Sequence, residues 1–247
     1  MVELAPDCTD DAFLGGALNI LQPARGFRAG IDSVLLASAI PAEAGQSALE
    51  AGAGAGVASL CLARRVTGLD VSGVEIDPAL VVLANRNAER NGLADRVRFE
   101  ARSVAESDPT ILGHYAHVFT NPPFLEEGEA VQAGEAGRRR ARQGPEGVLA
   151  QFVDFCIGAA APGASVTLIH RADRLDRILA AIGSRLGALE IIPLWPRQDM
   201  PAKRVIIRGR KGSGAPLTLR PGLVLHGAGN GFTEAAEAVL RHGAPLT

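Results

Sequence analysis

Cysteine, tryptophan, tyrosine and methionine are scarce in this chain, and what is missing narrows what it can be. The three cysteines (Cys8, Cys61 and Cys156) are odd in number and form no Cys-x-x-Cys pair, which argues against a disulfide frame or a zinc knuckle and fits a reducing, cytoplasmic setting. The histidines at 114, 117, 170, 226 and 242 have no paired ligand spacing, so no metal is expected, and His114-Tyr115-Ala116-His117 reads as a loop entering a strand. No Ser-His-Asp or Cys-His arrangement stands out. A large charge of one sign is missing too: the net charge is -2, so any surface for a polyanion must be local. The longest uncharged stretch, Phe155 to His170, is broken by Gly158, Pro162 and Gly163 and reads as helix, turn and strand, so no membrane partner is expected. The first residues, Met1 to Asp7, lack the basic and apolar regions of a signal peptide.

What the chain has is apolar mass with regular punctuation. At 47% hydrophobic over 247 residues it can bury one large α/β core. Strands are predicted near 47–51, 71–76, 96–101, 116–120, 164–170, 188–194 and 203–209, with helices near 56–65, 78–91, 146–160 and 173–186. That alternation calls for right-handed crossovers and a doubly wound, mostly parallel, seven-stranded α/β sheet covered on both faces. The short link from Pro196 to Ala202 makes the last two strands an antiparallel pair at one edge. Residues 13–29 read as a small hairpin, and the apolar stripe of Val34, Leu35, Leu36, Ala39 and Ile40 as a helix that Pro41 ends. The expected organisation is a hairpin extension over 1–29, a core over 30–212 and a C-terminal appendage over 213–247 packed on the core. Residues 125–147, with Glu126, Glu127, Glu129 and Glu135 ahead of Arg138, Arg139, Arg140 and Arg142, break the rhythm and read as a long loop.

The chain is organised around Leu49-Glu50-Ala51-Gly52-Ala53-Gly54-Ala55-Gly56, which reads as strand, tight turn and helix. Glycines there can take positive φ, let a ligand lie against the backbone and turn the amides of a helix N-terminus inward. The dinucleotide pattern Gly-x-Gly-x-x-Gly fails because its last position falls on Val57, and no Lys-Ser or Lys-Thr follows to make a P-loop. Glu75 closes the second core strand, beside that turn across the sheet, where a carboxylate can accept both hydroxyls of a ribose. Asn121-Pro122-Pro123-Phe124 follows the fourth core strand at the ligand-facing edge. Two prolines remove backbone donors and fix φ, leaving rigid carbonyls and the Asn121 amide oxygen as acceptors. Acceptors that grip the N–H protons of a conjugated amine favour its pyramidal, nucleophilic form, and Phe124 offers a face for stacking a base.

Glu-x-Gly-x-Gly-x-Gly resembles the first motif of class I S-adenosylmethionine (SAM) methyltransferases, and with Glu75 and Asn-Pro-Pro-Phe the set resembles their amino-methylating members. Gly26-Phe27-Arg28-Ala29-Gly30-Ile31-Asp32-Ser33-Val34-Leu35-Leu36 and Pro201-Ala202-Lys203-Arg204-Val205-Ile206-Ile207, followed by Lys211-Gly212, are similar to segments of the bacterial tRNA adenine-N6 methyltransferase family, which modifies the adenine 3′ of the anticodon in a valine tRNA. The resemblance covers about Gly26 to Lys211. It implies a Rossmann-like sheet, SAM as cofactor and RNA, most specifically tRNA, as partner. It implies that Arg28 and Asp32 help to close the SAM pocket, that Glu50, Gly52, Gly54, Gly56, Glu75, Ile76, Ser103 and Asn121 contact the cofactor, and that Asn121, Pro122, Pro123 and Phe124 hold the adenine. Ser103 departs from many relatives, which place an acidic residue there against the adenine amine of SAM. Two other readings stand beside this one: methylation of a protein glutamine, which uses the same motif, and a SAM-binding module without transfer activity. The basic residues between 196 and 220 (Arg197, Lys203, Arg204, Arg208, Arg210, Lys211 and Arg220, against Asp199 alone) supply the local charge an RNA would need.

Overall fold

A computed structural model of the chain describes residues 8–26, 28–106, 109–124 and 135–246. The elements run β1 (Cys8–Phe13), β2 (Leu18–Pro23), α1 (Ile31–Ser38), β3 (Ser47–Ala51), α2 (Val57–Arg65), β4 (Asp70–Glu75), α3 (Pro78–Arg90), β5 (Val97–Ala101), β6 (Tyr115–Thr120), α4 (Glu135–Ala159), β7 (Ala160–Arg171), α5 (Leu175–Ile182), β8 (Leu186–Trp195), β9 (Arg204–Lys211), β10 (Thr218–Leu219), β11 (Leu223–Val224) and α6 (Glu234–His242). The large sheet has the order β10-β8-β9-β7-β6-β3-β4-β5, with β11 also on β8. The seven expected strands are β3 to β9, and the apolar runs of the tail add β10 and β11, both parallel to β8. The antiparallel strand is β9, which lies between β7 and β8. One face of the sheet packs with α1, α2, α3 and α6, the other with α4 and α5, as two apolar cores. The central strands are buried on both faces, which is why Leu49, Val118, Phe119, Leu168 and Ile169 read as continuous apolar runs rather than alternating ones.

Local signals account for several ends. Asp77 caps α3 by accepting from the Ala79 amide at 2.9 Å, Pro78 fills its first position, and Gly92 at φ 66° follows its end. Thr233 caps α6 by accepting from the Ala236 amide at 3.1 Å while donating to the Val224 carbonyl at 2.7 Å, which ties α6 to β11.

The chain departs from expectation in four places. The hairpin spans Cys8 to Pro23 rather than 13–29, because Asp10 and Asp11, poor strand formers, are held extended by pairing with β2. Asn87 and Asn91 on α3 dock β2 by acting as strand partners: Asn87 accepts from the Leu21 amide and donates to the Leu21 carbonyl, each at 2.9 Å, and Asn91 does the same with Asn19 at 3.0 Å. The long loop expected over 125–147 is helical from Glu135 onward, consistent with the helix-forming Ala, Arg, Gln and Glu there; 125–134 lie outside the described residues, as does Phe27. No turn separates α4 from β7: Pro162 and Gly163 sit inside the strand, where its pairing with β6 shifts register. The helix expected over 173–186 is shorter, a 3-10 turn at Ala172–Arg174 followed by α5. Among the described residues no helix is long and apolar enough to cross a membrane.

Candidate active site

The carboxyl ends of β3, β4, β5, β6 and β7 form one edge, and most of the expected site residues gather on it. At the end of β3 the amides of Gly52 and Ala53 both donate to the Val74 carbonyl, at 2.8 and 3.0 Å, folding the turn against β4. Gly52, Gly54 and Gly56 all have positive φ, of 73°, 55° and 84°. Their surroundings differ. A Cβ on Gly52 would lie 2.8 Å from the Phe152 ring and one on Gly56 2.7 Å from the Phe99 ring, whereas a Cβ on Gly54 would meet nothing within 4 Å. Two of the glycines serve packing, and Gly54 opens to a free space in which a ligand can lie on the backbone.

Glu75 reaches this turn. Its Oε2 accepts from the Gly54 amide at 2.9 Å, and its Oε1 from the Ile76 and Asp77 amides at 2.8 and 3.1 Å. A carboxylate offers about four acceptor sites, so three are taken here and simultaneous capture of two ribose hydroxyls requires an amide to be shared or released. Glu50 is turned inward. It is fully buried, its Oε2 accepts from the Ser59 amide at 3.0 Å and from the Ser59 hydroxyl at 2.5 Å, and burial pushes its carboxyl up to about 8. These bonds satisfy an otherwise unpaired amide in the first turn of α2, so Glu50 supports the glycine turn from behind. Ser103, past the end of β5, closes its own turn by accepting from the Ala105 amide at 3.2 Å, and Ile76 is half-buried beside Glu75.

The Asn-Pro-Pro-Phe segment leaves β6 next to the glycine turn. Thr120, just ahead of it, donates its hydroxyl to the Ala51 carbonyl at 2.8 Å, which ties the two segments together. Asn121 Oδ1 is buried and finds no hydrogen-bond partner among the described residues. Pro122 is buried, and Pro123 and Phe124 are half-buried. Two residues that the sequence did not assign to this site, His170 and Arg204, complete this half of the edge. His170, next to last on β7, meets Phe124 edge-on with ring centroids 4.8 Å apart, and the Arg204 guanidinium lies over the Phe124 ring, 4.8 Å from its centroid. Arg204 is held by Asp32 at 2.9 Å, so Asp32 reaches the site through a partner. Arg28 does not join that group; it pairs with Asp11 of β1 at 2.7 Å. A polar residue ending the apolar run of β7, on the strand next to Asn121, was the signal for His170.

The basic zone of 196–220 is mostly committed within the fold. Arg208 pairs with Glu190 and donates to the Ala39 carbonyl at 2.6 Å, and Arg220 approaches Glu190 at 3.5 Å. Arg197 and Lys211 donate to the carbonyls of Gly229 and Ala160, at 2.8 and 2.7 Å. Lys203 remains exposed, with no side-chain partner among the described residues. The side chains of Arg138, Arg139, Arg140 and Arg142 lie outside the described residues. Among the described residues no group of three His, Cys, Asp or Glu is placed to hold a metal.

A doubly wound sheet carrying a Glu-x-Gly-x-Gly-x-Gly turn, an acidic residue ending the next strand and Asn-Pro-Pro-Phe one strand away matches the frame of SAM-dependent methyltransferases, the class to which the similar proteins point. Residues 28–143 match the methyltransferase small domain family. The chain is 28% identical over 200 residues to a tRNA1(Val) (adenine(37)-N6)-methyltransferase of Porphyromonas gingivalis, covering 74% of this chain and 76% of that one. It is 31% identical over 102 residues to the enzyme of that name from Mannheimia succiniciproducens, a stretch of 41% of this chain and 42% of the other. The solved structure of a predicted O-methyltransferase, protein Atu636 from Agrobacterium tumefaciens, superposes with a TM-score of 0.73 at 25% identity, over 87% of this chain and 98% of that one.

Proposed function

We propose that this chain methylates the exocyclic N6 amine of an adenine in tRNA, the adenine 3′ of the anticodon. The observation that carries the reading is Asn121 Oδ1, an acceptor buried without a partner at the end of β6, beside the glycine turn. Buried acceptors are ordinarily satisfied, so one left free at a ligand-facing edge is suited to a donor that arrives with the substrate. The names of the relatives in Porphyromonas and Mannheimia supply the substrate class. The proposed substrate places the activity in the cytoplasm.

The residues present fit SAM, since the space over Gly54 is open and a carboxylate stands at the turn. We assign Gly52, Gly54, Gly56, Glu75, Ile76 and Ser103 to holding it, with Glu50 supporting the turn and Asp32 acting through Arg204. When bound, SAM supplies the electrophilic methyl group. The chain's own work is on the amine. Asn121 Oδ1 and the Pro122 carbonyl accept hydrogen bonds from its two N–H groups, which withdraws the nitrogen lone pair from the ring and directs it outward, and Phe124 fixes the plane of the base. These interactions strengthen as the amine pyramidalises and gains positive charge, so they act on the transition state more than on binding.

Incubation of the purified chain with methyl-labelled SAM and bulk tRNA, followed by nuclease digestion, tests this reading. Label is expected in N6-methyladenosine from the anticodon loop. Label found in a protein glutamine would instead support the alternative substrate, and absence of any transfer would leave a binding module.

A further inference from the structure

His170 has no part in the mechanism above, yet it is the most conspicuous polar group left at the site. It is 6% exposed, its ring interacts with the Arg171 backbone and touches Phe124, and its Nδ1 finds no hydrogen-bond partner among the described residues. The chain shows how it treats a purely structural histidine on the same two strands: His117 is clasped at both nitrogens, Nδ1 by Ser165 Oγ and Nε2 by Gln46 Oε1, each at 2.7 Å. Thr120 pairs with Leu168, Asn121 follows the end of β6 one position past that pair and His170 lies on β7 two positions past it, and each carries a buried atom without a partner among the described residues.

Building on the adenine reading, we propose that His170 is a specificity-determining contact to the target base, its Nδ1–H donating to the ring nitrogen beside the amine that Asn121 holds. Asn121 Oδ1 and the Pro122 carbonyl account for both amine protons, which leaves the imidazole the ring edge. An acceptor next to a donor complements an amino group next to a ring acceptor, the pattern by which a side-chain amide reads adenine. Burial holds the imidazole down to about 4, so near neutral pH it carries one N–H and one lone pair. A hydrogen bond to the ring nitrogen draws density away from the amine, so the contact checks identity without accelerating the transfer.

The test uses the full chain and three synthetic anticodon stem–loops, with adenosine, 1-deazaadenosine or 7-deazaadenosine at the target position. The unsubstituted chain is expected to lose about tenfold or more in kcat/KM on one analogue, as for a buried donor robbed of its acceptor. His170→Phe should show that loss on the adenosine RNA and no further loss on that analogue. His170→Asn, whose amide nitrogen falls near Nδ1, should recover part of the activity, and His170→Gln, whose amide falls near Nε2, should not. SAM affinity by calorimetry should be unchanged in all three variants, which separates the contact from misfolding. Equal activity of the unsubstituted chain on all three RNAs, or an undiminished analogue penalty in His170→Phe, overturns the proposal. Failure of the unsubstituted chain to methylate any of the RNAs overturns the adenine reading itself.

Discussion

The two halves of the ligand-facing edge are built on opposite terms. On the cofactor side nearly every polar group is already bonded: Glu75 accepts three amides, Glu50 is held by Ser59, and the glycine turn is pinned to Val74. On the transfer side Asn121 Oδ1 and His170 Nδ1 are buried and free of partners among the described residues. Internal bonds make a rigid cradle whose shape is set before a ligand arrives; unspent bonds are capacity reserved for a ligand. The two buried histidines make the contrast sharper. His117 and His170 are both held neutral to about 4 chiefly by burial, but only His117, at the far end of the sheet, has both ring nitrogens bonded to side chains. Between these two the difference is in their bonding, since their burial is the same; His226, stacked on Phe232 in the tail, also keeps an Nδ1 unpartnered among the described residues, so it is the place beside Phe124 that makes His170 a candidate contact.

The comparison breaks first at Asn121. Asn121→Ala is expected to cut methyl transfer by about 10²- to 10³-fold, the scale of removing one transition-state hydrogen bond, with SAM affinity nearly intact. Single-turnover rates at saturating tRNA, beside calorimetry of SAM, measure both; a parent-like rate would return Asn121 to a packing role.

The glycines come next, since the cradle predicts that they fail differently. Gly56→Ala drives a Cβ into the Phe99 ring and should lower stability by about 1–3 kcal/mol. Gly54→Ala meets no neighbour, so its loss should fall on SAM affinity beyond the modest backbone strain of its left-handed φ. Denaturant melts with and without SAM distinguish the two, and equal effects would sink the assignment of the open space.

Acid should reveal the histidines. An unfolded histidine titrates near 6.5, whereas His117 and His170 titrate near 4 in the folded chain, so the unfolded state binds more protons between these values. Their contribution to stability is complete above 6.5 and falls as the pH drops toward 4. Glu50 acts in the opposite sense: its folded value near 8 lies above the ordinary 4.5, so its contribution declines as the pH rises between them. His117→Gln should flatten the acid limb of a urea-midpoint profile, and an unchanged limb would assign the loss to other groups.

The smallest effect concerns RNA. Neutralising exposed Lys203 should lower the salt slope of tRNA binding by about 1 and leave stability unchanged, if it meets a phosphate. Arg208→Ala should do the reverse, destabilising the sheet through Glu190 and Ala39 while leaving the slope alone. A slope change at Arg208 instead would put RNA on that face.

The sheet was legible in the sequence because strands buried on both faces and the helices between them leave period and punctuation behind, and β3 to β9 are visible there. The glycine turn, Glu75 and Asn121 to Phe124 were legible because each is a contiguous motif or lies at a set distance from one. The hairpin's first strand and the start of α4 were not, since Asp10 and Asp11 are extended only through their pairing with β2, and the Arg run at 138–142 reads equally as a loop or as the polar face of a helix. His170, Arg204 and the inward turn of Glu50 were decided by tertiary structure alone. His170 meets Phe124 because β7 lies beside β6, and Arg204 reaches Asp32, 172 positions away in sequence, because β9 is inserted between β7 and β8. A basic residue in a list cannot show whether its charge is free; here Glu190, Asp32 and backbone carbonyls had already claimed most of it, and that depends on which strands become neighbours.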